Sequence, residues 1–63
     1  MKNNTLTPEQ IAEIEYFGEA TFNGDNYKYK DYLYKSEIYK NDELIIRINN
    51  KLSSIDPNRI EYV

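Results

Sequence analysis

Polar and apolar residues alternate along this chain in two rhythms. Ile11, Ile14 and Phe17 stand three apart, with Ala12 beside them, which gives one apolar stripe on a helix. The flanking residues agree. Thr7 is a good N-cap, and Pro8 stands at the first helical position, where its missing N–H is harmless. Gln10 completes a capping box with Thr7, and Leu6 and Ile11 suit a hydrophobic staple. Glu9 favours the positive end of the helix dipole, and Gly18 is a natural stop. The pattern predicts a helix over 8–17.

Past Gly18 the rhythm shortens. Ala20 to Phe22 suits a short strand. Asn23-Gly24 follows, a pair that tolerates positive φ at both positions of a two-residue hairpin. A Tyr-rich stretch begins at Tyr27, and Tyr favours strands. Asn41-Asp42 is a second turn signal, and the run from Glu43 to Asn49 carries β-branched Ile45, Ile46 and Ile48. Strands are predicted at about 19–23, 27–39 and 43–50. The long middle span can break near Asp31, into two strands or a strand and a helical turn. Asp56 precedes Pro57, which disfavours helix, so 53–63 reads as an irregular tail in which Ile60–Val63 can add an edge strand.

These elements make an α+β fold: one N-terminal helix packed on a three-stranded antiparallel β-meander. The chain is a single small domain over 1–63, with a flexible polar tail at 1–5. The expected core is Ile11, Ile14, Phe17, Phe22, Tyr29, Leu33, Leu44, Ile46 and Ile48. Ile45 and Arg47 are expected on the opposite face.

Composition narrows the chemistry. The 63 residues contain no Cys and no His. That removes disulfides, thiolate metal sites and imidazole ligands, as well as Ser-His and Cys-His nucleophile pairs. Gly18 and Gly24 fit no phosphate-binding glycine motif. The protein is expected to be no enzyme and to carry no cofactor or metal. A chain this short buries only about 60% of its unfolded surface, so a homodimer is expected to add stability. The longest apolar run is Leu44-Ile45-Ile46, which gives no membrane span. A soluble, cytoplasmic protein is the expectation.

The net charge is −3, unevenly spread. Residues 1–26 set Lys2 against Glu9, Glu13, Glu15, Glu19 and Asp25. Residues 27–52 carry six cations and four carboxylates. On the first helix Glu9 and Glu13 fall one turn apart, as do Glu15 and Glu19 if the helix reaches that far. Such a row is either an ordinary solvated face or an imitation of phosphates. Five of the seven tyrosines lie within 27–39. On a continuous strand, Tyr27, Tyr29 and Leu33 would share one face, and Lys28, Lys30, Tyr32, Tyr34 and Ile38 the other. One short helix covers one face only, so the surplus points to half-buried cross-strand pairs or to a binding surface, for which Tyr is well suited. Lys28, Lys30, Tyr32 and Tyr34, extended by Lys35, Lys40 and Arg47, also suit nucleic acid, with aromatic stacking and phosphate contact.

The segment Gly24 to Leu52 resembles the small phage inhibitors of uracil-DNA glycosylase of the Bacillus-phage type. The points of similarity are Gly24 followed by Tyr27-Lys28-Tyr29-Lys30, and Asp42-Glu43-Leu44-Ile45-Ile46-Arg47-Ile48. The resemblance implies an acidic, dimeric DNA mimic that binds a host enzyme, and Glu37, Tyr39, Asp42 and Glu43 match its positions. It also implies a helix after the Tyr-rich strand, and an acid where this chain has Lys28.

The expected function is therefore that of a small acidic binding protein, a phage-type inhibitor of a host protein that imitates DNA toward a DNA-handling enzyme. The expected partner-binding residues are Glu9, Glu13, Glu15, Glu19, Tyr32, Tyr34, Glu37, Tyr39, Asp42 and Glu43. The alternatives are a nucleic-acid-binding accessory protein using the Tyr/Lys sheet face, and a structural homodimer subunit.

Overall fold

A computed structural model describes residues 5–63. The tail expected at 1–5 thus lies, Thr5 apart, outside the described residues. The helix α1 runs Pro8–Phe17. Thr7 Oγ1 accepts from the Gln10 N–H at 3.1 Å, and Gln10 Oε1 accepts from the Thr7 N–H at 2.9 Å. Leu6 and Ile11 are both buried. Gly18 takes φ 82°, a left-handed conformation cheap only for glycine, and turns the chain directly into the first strand.

The sheet has five strands, not three: β1 (Glu19–Phe22), β2 (Asp25–Asp31), β3 (Lys35–Lys40), β4 (Glu43–Asn49) and β5 (Ile60–Tyr62). All pairings are antiparallel, in the order β1-β2-β3-β4-β5. The span 27–39 breaks after Asp31. There, Ser36 forms a buried polar hub. Its hydroxyl accepts from the Tyr29 hydroxyl at 2.8 Å and from Asn50 Nδ2 at 2.8 Å, and donates to Asp31 Oδ1 at 3.0 Å. The Tyr32 N–H donates to the Lys35 carbonyl across the turn. The other two hairpins have positive φ at both central residues, Asn23-Gly24 and Asn41-Asp42, as a type I′ turn requires. Asn41 links the two turns, accepting from the Asn26 N–H and donating to Asp25 Oδ1, each at 3.0 Å.

In the tail at 53–63, turns lead to the edge strand expected at Ile60–Val63, which forms as β5. Asp56 caps a 3₁₀ turn, Pro57–Arg59, by accepting from the Asn58 N–H. β5 then pairs with β4. The Tyr62 hydroxyl accepts from the Leu6 N–H at 3.2 Å and donates to the Leu6 carbonyl at 3.3 Å, so β5 is fastened to the entry of α1. Ten helical residues span about 15 Å. Five strands span about 19 Å. One helix can therefore bridge most of the sheet, from the β5 side to its exit into β1.

Cross-strand partners share a face. The helix side carries Ala20, Tyr27, Tyr29, Ile38, Ile46, Ile48 and Ile60. The buried core is Leu6, Ile11, Ile14, Tyr27, Ile38, Ile45, Ile46 and Ile48, with Phe22 and Tyr29 packed against it. Four expectations are corrected. Leu44 is half-buried on the face away from the helix, where it pairs with Tyr39 beyond a shift in register. Phe17 is 67% exposed, because the helix ends over edge strand β1 and no strand lies beyond it; its ring meets Tyr16 edge to face. Leu33 is 81% exposed, because it sits in the turn and not in a strand. Ile45 is buried. The register passes from Ile38↔Ile46 to Tyr39↔Leu44, so Ile45 is the extra residue of a bulge. A bulge interrupts strict alternation, and neighbouring Ile45 and Ile46 both enter the core.

Ile14→Ala is expected to destabilise the protein by about 2–5 kcal/mol. A 63-residue domain has in total only about 3–9 kcal/mol. Phe17→Ala, outside the core, is expected to change stability by at most about 0.5 kcal/mol. Urea unfolding followed by circular dichroism measures both; equal losses would contradict the core described.

Candidate functional site

With α1 on one side, the other face of the sheet is open. The pairings bring together there Glu19 and Thr21 of β1, Lys28 and Lys30 of β2, and Lys35, Glu37 and Tyr39 of β3. Leu44 and Arg47 of β4 and Glu61 of β5 complete it. Glu37 is its centre. Although it lies on the helix-free face, it is only 6% exposed, because neighbouring long side chains fold over it. Tyr39 donates its hydroxyl to Glu37 Oε1 at 2.8 Å. Lys35 Nζ lies 3.7 Å from Oε2, and Arg47 is the cross-strand neighbour. Lys30 stands 5.0 Å over the Tyr39 ring, and Lys35 stands 5.2 Å over the Tyr32 ring.

The electrostatics follow from these contacts. The Tyr39 hydroxyl bond is the main influence holding the Glu37 carboxyl below its ordinary range. Burial opposes it, while Lys35, the Tyr32 hydroxyl and Arg47 reinforce it. The same bond, with burial, pushes the Tyr39 phenol up.

Beyond this cluster, at the end of the sheet, is a groove of about 390 Å³ whose walls include Tyr34, Lys35, Arg47, Lys51, Arg59 and Glu61. Lys51 Nζ lies 5.0 Å over the Tyr34 ring. Arg47 Nη1 is 3.8 Å from Glu61 Oε1. Arg59 reaches to α1, with Nη2 3.4 Å from Glu15 Oε1. Among the described residues, Lys28, Lys30 and Lys51 make no ion pair. No group of three or more metal-ligating side chains occurs among the described residues, and no helix there is long and apolar enough to cross a membrane.

The residues singled out by sequence are divided by the fold. Tyr32, Glu37 and Tyr39 meet on the open face, and Tyr34 forms the wall of the adjoining groove. Glu9 and Glu13 are exposed on α1. Glu15 is half-buried against Arg59. Glu19 is in β1, not one turn beyond Glu15, because Gly18 ends the helix first; it pairs with Lys28 on the far face. Asp42 lies in a turn with φ 71°, and Glu43 opens β4 opposite Lys40. No single acidic row exists. Tyr32 and Tyr34 belong to the turn, and Ile38 faces the core, so the Lys/Tyr face comprises other residues than a continuous strand would give. Lys40 is not part of it, being paired with Asp25 at 3.6 Å. Residues 31–41 contain a turn and β3, where the resemblance implies a helix. Sequence reasoning missed Lys51 and Arg59, whose only local signal was isolated positive charge in apparent loop.

The contribution of Glu37 to stability has a defined pH dependence. Its folded pKa lies below the unfolded one, so its contribution is present above about 4.5, the ordinary carboxyl value, and is lost as pH falls through the folded pKa. Tyr39 behaves conversely: its contribution is present below 10.0 and is lost as pH rises through the raised pKa. Urea unfolding of wild type and Glu37→Gln at pH 7 and pH 3 is expected to show a stability gap at pH 7 that shrinks at pH 3. A gap independent of pH would exclude an ionised, hydroxyl-bonded Glu37. In comparisons with known proteins, the chain matches no family model, no curated protein and no solved structure.

Proposed function

We propose that this protein is a small, non-enzymatic binding protein that takes a single-stranded nucleic acid across the helix-free face of its sheet. The observation that carries this reading is the joining of cations and rings on that face. Lys28, Lys30, Lys35 and Arg47 share it with Tyr39 and with three carboxylates, of which Glu37 is buried under Tyr39 and Lys35 and Glu61 is paired with Arg47, while Glu9 and Glu13 stand on the helix. The molecule is 19 Å across its shortest dimension. The Debye length at physiological salt is about 8 Å, so carboxylates on the helix are largely screened from a ligand on the sheet. The net charge of −3 then weighs less than the local surface. Exposed Tyr32 and Tyr34 supply ring faces for bases, each stack contributing about 1–3 kcal/mol. Cation and ring together favour a flexible single strand over a stiff duplex, whose bases are already stacked.

Fluorescence anisotropy with labelled single-stranded oligonucleotides tests this. Three to four phosphate contacts give a slope of log K against log salt of about −2 to −3. Lys28→Glu with Lys30→Glu is expected to weaken binding uniformly across sequences and to flatten that slope by about 1.4, with the fold intact. No binding at 20 mM salt would sink the reading, and binding untouched by the two reversals would move it off this face.

A second reading, inhibition of a DNA-handling host enzyme by DNA mimicry, draws support from Glu9 and Glu13. They are exposed one turn apart on a helix with no basic residue in its last turn. Reversing both is expected to abolish capture of such an enzyme while leaving oligonucleotide binding unchanged; the opposite pattern would dismiss the mimic.

A further inference from the structure

The groove at the end of the sheet gathers cations from four separate elements of chain. Lys35 comes from β3, Arg47 from β4, Lys51 from the segment after β4, and Arg59 from the 3₁₀ turn before β5. We propose that this groove is a nucleotide-anchoring site: it holds the phosphate of one nucleotide unit, with the Tyr34 ring as the wall for its base. The proposal rests on the nucleic-acid reading above and adds a fixed anchor to it.

The dimensions and the chemistry agree. About 390 Å³ is within the range of about 300–1,000 Å³ in which small ligands are held. Glu61 is the single carboxylate among the lining residues, and the side chains of Asn49 and Asn58 add amide groups. Asn49 Oδ1 is already engaged by the Lys51 N–H at 3.0 Å, which leaves its Nδ2 as a donor.

The four cations are not equivalent. Lys51 makes no ion pair among the described residues and stands over the Tyr34 ring. It is the cation with most to gain from an anion. Arg47 holds Glu61 at 3.8 Å, with both side chains more than half exposed. Such surface pairs are weak, and a phosphate offers Arg47 a bidentate anionic replacement. Lys35 shares Glu37 with the Tyr39 hydroxyl, so its withdrawal leaves that carboxylate bonded. Arg59 is the fixed element: its Nε donates to the Ser54 carbonyl at 3.1 Å and its Nη2 meets Glu15. It shapes the wall and contributes field more than contact. Tyr34 is 62% exposed and its backbone carbonyl is tied to the Asn50 N–H at 3.1 Å. A held backbone with a presented ring is the arrangement stacking requires.

The test is a titration of ¹⁵N-labelled protein followed by NMR, with inorganic phosphate, thymidine, thymidine 5′-monophosphate and a twelve-residue oligothymidylate as probes. The monophosphate is expected to shift the amides of Asn49, Lys51 and Asn58, and thymidine, which lacks the phosphate, is not. Lys51→Glu is expected to abolish these shifts and to reduce the salt slope of oligonucleotide binding by about 1. Because Lys51 is exposed, the variant's unperturbed spectrum elsewhere serves as its folding control. Tyr34→Ser is expected to weaken the monophosphate and not inorganic phosphate. Oligonucleotide binding that ignores Lys51→Glu would overturn the groove and spare the sheet-face reading. Monophosphate shifts at the groove without any oligonucleotide binding would retain the site, with a free nucleotide as its ligand, and remove the nucleic-acid reading. Silence toward every phosphate-bearing probe would overturn the anchor.

Discussion

One ten-residue helix has to close the core beneath five strands. Nearly every feature of the molecule answers to that imbalance. A helix about 15 Å long can seal one face of such a sheet and not two, so the chain must provide an apolar side and a soluble side from the same short strands. The helix therefore lies across the strands and is fastened at both ends. The hydroxyl of Tyr62 in β5 holds the peptide of Leu6 at its entry, and Gly18 feeds its exit straight into β1. Arg59 adds a further tie through Glu15. The last strand is thus part of the device that seats the first helix, although 56 residues separate Leu6 from Tyr62.

Two local departures from regular structure adjust this arrangement. The bulge at Ile45 turns an extra apolar side chain inward and compensates for the small area the helix brings. At the other end of the sheet the core stops being apolar. Ser36 is completely buried, yet its hydroxyl has three partners, Tyr29, Asp31 and Asn50. Buried polar groups are tolerable when so satisfied. The hub marks where the long Tyr-rich span must fold back, and Asn50 brings the end of β4 to the same point. The 32–34 turn and the cationic groove beside it are therefore positioned by one hydrogen-bonded cluster.

Sequestering the core on one side also gathers cations on the other, beside Glu19 and Glu61. The chain is acidic in sum, but the alternation of side chains assigns Lys28, Lys30, Lys35 and Arg47 to the solvated face. Glu37 at the middle of that face is covered by Tyr39 and Lys35; it organises the cations around it more than it presents a negative surface. Net charge governs solubility and long-range association. At ordinary ionic strength it says little about what a 19 Å-thick molecule presents to a ligand on one side.

The sequence by itself determined the local events. The helix and both its ends were legible in Thr7, Pro8, Gln10 and Gly18, because capping depends on residues three or four apart. Asn23-Gly24 and Asn41-Asp42 announced their hairpins, because positive φ is a property of the residue itself. Ile11, Ile14, Ile46 and Ile48 were legible as core from periodicity alone. What only the tertiary structure decided was which elements meet. Ile45 reads as outward by alternation, and a bulge defined by register with β3 turned it inward. Phe17 continues the helical stripe, but its exposure depends on where the sheet ends. Glu15 and Glu19 look like neighbours on one helix, and a single glycine sends them to different faces. Of the candidate site, Tyr32, Glu37 and Tyr39 were visible as types of residue without a location, while Lys51 meets Tyr34 through the pairing of β3 with β4, and Arg59 joins Arg47 because β5 returns alongside β4. Short-range spacing encodes caps, turns and faces; register and strand order are set by long-range packing, and the grouping of charges at the end of the sheet follows from these.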